Sequence, residues 1–84
     1  MQVIDARSGS ELHPGSRIRY PLSQDAEGFL ISDGDGFDVV SITTSAFRGS
    51  AVVRRQSGEL SCVPLVVRYT HPGSFLRPVA FFPS

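Results

Sequence analysis

An 84-residue chain holds one domain with a small core, and 40% apolar residues at a mean hydropathy near zero exclude an intrinsically disordered segment. Its longest apolar run, residues 63–67, is too short to cross a bilayer. Eight Arg and no Lys offset eight acids to a net charge of zero, which argues against a dedicated nucleic-acid binder, since such proteins concentrate positive charge.

In chain order, residues 2–5 read as a short strand, and residues 6–16 as a polar connection rich in Ser, Gly and Pro. Arg17 to Tyr20 alternates, with Ile18 and Tyr20 on one face, and Pro21 ends it. A polar loop leads to a short run at 29–32. Asp33-Gly34-Asp35-Gly36 then marks a hairpin into a strand over 37–43. Residues 47–55 form the next strand, with Phe47, Ala51 and Val53 facing one way and Arg48, Val52 and Arg54 the other. Residues 55–59 turn, with Gly58 taking the left-handed position.

The longest strand spans 60–70. Val63, Leu65, Val67 and Tyr69 alternate with Cys62, Pro64, Val66 and Arg68. Pro64 has no N–H to donate, which predicts an edge strand or a bulge there. A last strand covers 75–82. His-Pro-Gly-Ser occurs at 13–16 and again at 71–74, each time before a strand. Pro presets the first central φ of a type II turn and Gly accepts the positive φ of the second. The loosely matching flanks mark reuse of a good turn rather than a repeat architecture. Six or seven short strands joined by tight turns in a single domain predict an all-β fold, a small barrel or a pair of packed sheets.

The stretch from Val3 to Ile18, a short strand, Asp5 before a Gly-bearing turn, and Pro14-Gly15-Ser16 entering Arg17-Ile18, resembles the opening of SH3-like, KOW-type barrels. The resemblance covers about the first twenty residues. It implies a small SH3-like barrel of five to seven short antiparallel strands, and a binding domain for protein, RNA or DNA. It carries over no site residues, because the aromatic groove motif of SH3 domains is absent. In style the chain is similar to the small open reading frames of phages and prophages.

No arrangement for catalysis or a cofactor stands out. The acidic run Asp33 to Asp38 departs from the helix-loop-helix calcium pattern, with Thr44 at its twelfth position instead of Glu. His13, Cys62 and His71 lack the paired spacing of zinc ligands. Neither a Gly-x-Ser-x-Gly elbow nor a phosphate loop is present, and a barrel of this size fills its own interior. The expectation is a non-enzyme without metal or cofactor. One Cys permits no internal disulfide, so Cys62 is expected to be a small buried hydrophobe. With no basic-then-apolar leader opening the chain, a reducing, cytoplasmic setting is expected.

Two surfaces remain. Residues 1–42 carry a net charge of minus four and residues 43–84 plus four. Arg48, Arg54, Arg55, Arg68 and Arg77 therefore form a candidate basic face, and Phe47, Tyr69 and Phe75 beside them are assigned to the core. Leu76, Pro78, Ala80 and Phe82, with Val52, Pro64 and Val66, form a candidate apolar contact surface. The function expected is non-catalytic binding of a protein partner or a second copy of the chain, such as a phage accessory protein engaging a host factor. The alternatives are nucleic-acid binding through the Arg face and a structural role in a virion.

Overall fold

The computed structural model describes residues 3–22, 31, 36–70 and 77–82. Seven strands run in chain order: β1 (Val3–Asp5), β2 (Glu11–Leu12), β3 (Arg17–Ile18), β4 (Phe37–Ser45), β5 (Arg48–Arg54), β6 (Leu60–Thr70) and β7 (Arg77–Phe81). They make one sheet in the order β2-β1-β7-β6-β5-β4-β3, curled into a half-barrel, with no helix among the described residues. The domain is all-β, and its shape is compatible with a small SH3-like barrel.

The curl follows from chain reach. β2 and β3 lie at opposite edges of the sheet, yet only residues 13–16 separate them. Seven strands laid flat would put their outer members about 29 Å apart. The five steps from Leu12 to Arg17 reach at most about 17 Å. The sheet must therefore bend until its edges approach.

The first His-Pro-Gly-Ser forms this tether. Gly15 has φ +97, and Ser16 N donates to His13 O at 2.9 Å, closing a four-residue turn. Ser16 Oγ accepts from His13 N at 3.0 Å and donates to Glu11 O at 3.2 Å. The turn is pinned to β4, because Gly15 N donates to Val39 O and Val39 N to Ser16 O, both at 2.8 Å. The second His-Pro-Gly-Ser, at 71–74, lies outside the described residues.

The concave face is the core. Phe37, Ile31, Val53, Val63 and Ala80 are fully buried, and Leu12 and Ile18 seal it from the two edge strands. Each large apolar side chain taken out of water contributes about 1.5–3 kcal/mol. Phe37 and Val39 on β4, Ala51 and Val53 on β5, and Val63, Leu65 and Val67 on β6 face inward at every second position, apart from a register shift between Val39 and Ser41. Gly49 lies on β5 between Thr44 and Leu65 of the flanking strands.

Several expectations need correction. β1 and β7 pair parallel, Ile4 opposite Val79, so the sheet is not wholly antiparallel. These strands come from opposite ends of the chain, and no tight turn dictates their relative direction. Residues 6–16 contain β2, hidden in the sequence because two residues show no periodicity. Pro64 lies on a central strand without a bulge, paired with Ser50. Described pairing with β7 runs from Val66 to Thr70. Phe47 is not in a strand; it caps the β4–β5 hairpin beside Ala46 and is exposed. The hairpin expected across Asp33-Gly36 falls mostly outside the described residues. Of the strand expected at 29–32, Ile31 is described and bridges Leu22.

Two glycine substitutions separate steric from conformational cost. A Cβ on Gly49 would stand 2.5 Å from Thr43 O and 3.1 Å from Leu65 Cδ1. Gly49→Ala is expected to lose about 2–3 kcal/mol through overpacking between strands. A Cβ on Gly15 meets nothing within 4 Å, so Gly15→Ala is expected to lose only the about 1–2 kcal/mol of left-handed strain. Urea unfolding should show both midpoints lowered, Gly49→Ala the more, with unchanged slopes.

Candidate functional site

On a single curled sheet only the concave face is covered, so the convex face of the central strands meets solvent. Polar residues are expected there. Instead, a row running across the strands reads Ser45, Arg48, Val66 and Phe81, each directly opposite the next on β4, β5, β6 and β7. Val66 is 47% exposed and Phe81 41%. Pro64 and Cys62 continue the same face of β6. Arg68, two residues along from Val66, lays its guanidinium over the Phe81 ring, 5.6 Å from the centroid. Arg48, Pro64, Val66, Arg68 and Phe81 line an open groove of about 680 Å³, with Phe82 also in its wall.

Four of the five candidate arginines share this convex face. Arg48 lies opposite Val66, Arg68 opposite Val79, Arg77 opposite Thr70, and Arg54 between Asp38 and Leu60. All four are exposed. None forms an ion pair among the described residues. Asp38 is taken by Arg17 at 2.7 Å, Glu59 by Arg55 at 3.4 Å, and Asp5 is buried. The fifth, Arg55, sits in the β5–β6 turn and folds onto Glu59, apart from the others.

The apolar contact surface is only partly as expected. Val66 and Pro64 are exposed and Val52 is half-buried on the convex side. Pro78 and Ala80 point inward and are buried, so the expected register of the last strand is inverted. Apolar residues occupy both parities there, and only pairing with β6, Ala80 beside buried Val67, decides which set faces the core. Phe82 packs partly against the core, and Leu76 lies outside the described residues. Phe81, absent from the expected surface, is the aromatic that belongs to it.

Two further expectations reverse. Cys62 is exposed, because Ser61 takes the inward position beside Val53. Phe47 and Tyr69 are exposed rather than core. Their rings meet edge to face at 6.0 Å, and Tyr69 Oη donates to Ala46 O at 3.3 Å, bracing the hairpin tip.

A second cluster went unseen in the sequence. The buried Asp5 carboxylate accepts from Tyr20 Oη at 2.5 Å, Ser8 Oγ at 3.0 Å and Arg7 N at 3.1 Å. Arg7 stacks on the Tyr20 ring at 4.5 Å. Asp5 with Arg7 N is an Asx turn, a signal legible in the sequence; the reach to Tyr20 is tertiary. Burial, and then the Asp5 carboxylate, raise the Tyr20 phenol well above its ordinary pKa. The cluster ties the β1–β2 turn to the chain leaving β3. A hollow of about 250 Å³ beside it is lined by Arg7, Tyr20, Leu22 and Phe82.

Among the described residues no three His, Cys, Asp or Glu side chains gather to hold a metal. His13 Nδ1 sits 2.9 Å from the carbonyl oxygen of Pro14, and His71 lies outside the described residues. Comparison with models of protein families, with curated proteins and with solved structures finds no match in any of the three.

The Tyr20–Asp5 bond sets a pH dependence. The unfolded chain releases the phenol proton near pH 10.0, while the folded protein holds it to higher pH. The contribution is therefore complete below pH 10.0 and is lost as pH rises beyond it. Tyr20→Phe should cost about 1–3 kcal/mol near neutral pH, since Asp5 loses a buried donor. The stability gap between wild type and variant should narrow in alkaline denaturation series; a constant gap removes the bond from the account.

Proposed function

We propose that the chain is a small non-catalytic binding module that docks a protein partner on the convex face of β5–β7. The observation that carries this reading is the row Arg48–Val66–Phe81 with Arg68 folded over it. Exposed apolar surface, rimmed by arginines without acidic partners among the described residues, occupies the solvent side of a sheet where polar residues are expected. Arg and aromatic side chains around a desolvated centre are the chemistry of protein interfaces. Nucleic acid is the second reading, favoured by four arginines on one face. It fits less well: Arg68 occupies a face of the Phe81 ring and the floor beside it, Pro64 and Val66, is aliphatic, leaving little flat surface there for a base to stack on.

The more specific form of this proposal is a KOW-type barrel acting as a phage or prophage accessory protein on a host factor in the cytoplasm. The turn at 13–16, the Lys-free composition and the unpaired Cys62 support it. Among the described residues no helix is long and apolar enough to cross a membrane. Pairing of two copies through the same face is a variant of the reading, visible as a mass above 9.1 kDa in light scattering.

Val66→Glu tests the face. The side chain is half-exposed, so unfolding free energy should change by about 1 kcal/mol or less. Partner capture by the tagged protein should fall about tenfold or more, because a carboxylate enters the apolar centre. Undiminished capture by the folded variant would remove this face as the docking surface.

A further inference from the structure

We propose that the groove on β5–β7 recognises an extended acidic segment with one apolar side chain set between two carboxylates, spaced acid-x-apolar-x-acid. This rests on the reading of that face as a protein-docking surface and adds the chemistry of its occupant.

The spacing comes from the sheet. Arg48 stands on β5, Val66 beside it on β6, and Phe81 beyond on β7, with the Arg68 guanidinium carried over the Phe81 ring. The two cations therefore flank an apolar centre. Two strand spacings, about 10 Å, separate β5 from β7. In an extended chain, side chains at i, i+2 and i+4 face the same way and the outer two are about 13 Å apart. The length of an Arg side chain covers the difference. An apolar residue at i+2 then sits on Val66 while carboxylates at i and i+4 meet Arg48 and Arg68.

Charge complementarity selects an anionic occupant. Arg48 and Arg68 have no acidic partner among the described residues, so their charge is uncompensated on this face. Stacking on Phe81 leaves the edge donors of Arg68 free, and the planar fork suits a carboxylate. The aliphatic floor of Pro64 and Val66 suits Leu or Ile. A nucleic acid would satisfy the cations and leave this floor without a partner.

The probe is a synthetic peptide with the core Asp-Ser-Leu-Ser-Glu, titrated into the isotope-labelled full chain by NMR. Three further probes are its amide counterpart Asn-Ser-Leu-Ser-Gln, its Leu→Ser version, and oligothymidylate. The acidic peptide is expected to shift the amides of Val66, Arg68 and Phe81, and to bind about tenfold more tightly than the amide version at low salt. The protein carrying Arg48→Glu and Arg68→Glu should lose the acidic peptide and gain Arg-Ser-Leu-Ser-Arg, a reversal that loss of folding does not produce. Equal binding of acidic and amide peptides overturns the anionic requirement and leaves the protein-docking reading standing. Shifts from oligothymidylate alone overturn both. No shift from any probe overturns this inference, while partner capture by Val66→Glu separately decides the docking reading.

Discussion

The four residues between Leu12 and Arg17 constrain the whole domain. They join the two outermost strands of a seven-stranded sheet, and their reach is shorter than the sheet is wide. Bending is the way to satisfy both pairings. Gly15 supplies the backbone conformation this turn needs, and its bonds to Val39 fix it to the strand next to the edge. The turn removes much of the edge problem of an open sheet by bringing its margins together under short, tethered strands. The same bend creates the core, since curling turns one face inward along every strand at once.

A bent single sheet has an inside and an outside, and the outside of its middle strands is left uncovered. β5, β6 and β7 carry apolar residues there as well as within. On β6 the inward set is Val63, Leu65 and Val67, and the outward set is Pro64, Val66 and Arg68. Folding satisfies the first set and does nothing for the second. Exposed apolar groups in a row across neighbouring strands, with cations at both ends, are therefore more informative than any one of them singly.

The electrostatic pattern changes meaning on folding. The negative excess of residues 1–42 and the positive excess of residues 43–84 look like a division of the chain. In the folded domain the described acids are largely engaged: Asp5 in the core margin, Asp38 on Arg17, Glu59 on Arg55. Arg48, Arg54, Arg68 and Arg77 are left together on the convex face because residues of equal parity on paired strands share a side. Arg55 is the exception that follows the same rule: it lies past the end of β5, where parity no longer applies.

By itself the sequence determined what depends on local chemistry. The strand class, the turns at 13–16 and 55–59, and the alternation of Val63, Leu65 and Val67 with Pro64, Val66 and Arg68 on β6 are all readable from Pro, Gly and periodicity over a long strand. It could not assign the face of β7, where Pro78, Ala80 and Phe82 compete with Val79 and Phe81 for the core; register against Val67 settled that. Nor could it reveal β2, the parallel pairing of β1 with β7, the exposure of Phe47 and Cys62, or the reach of Tyr20 to Asp5. Each of these depends on residues far apart in the chain becoming neighbours, and periodicity carries no information about which neighbour a strand acquires. The groove of Arg48, Val66, Arg68 and Phe81 exists for that reason only in the assembled sheet, drawn from three strands whose order along the chain does not show which side chains will stand in one row.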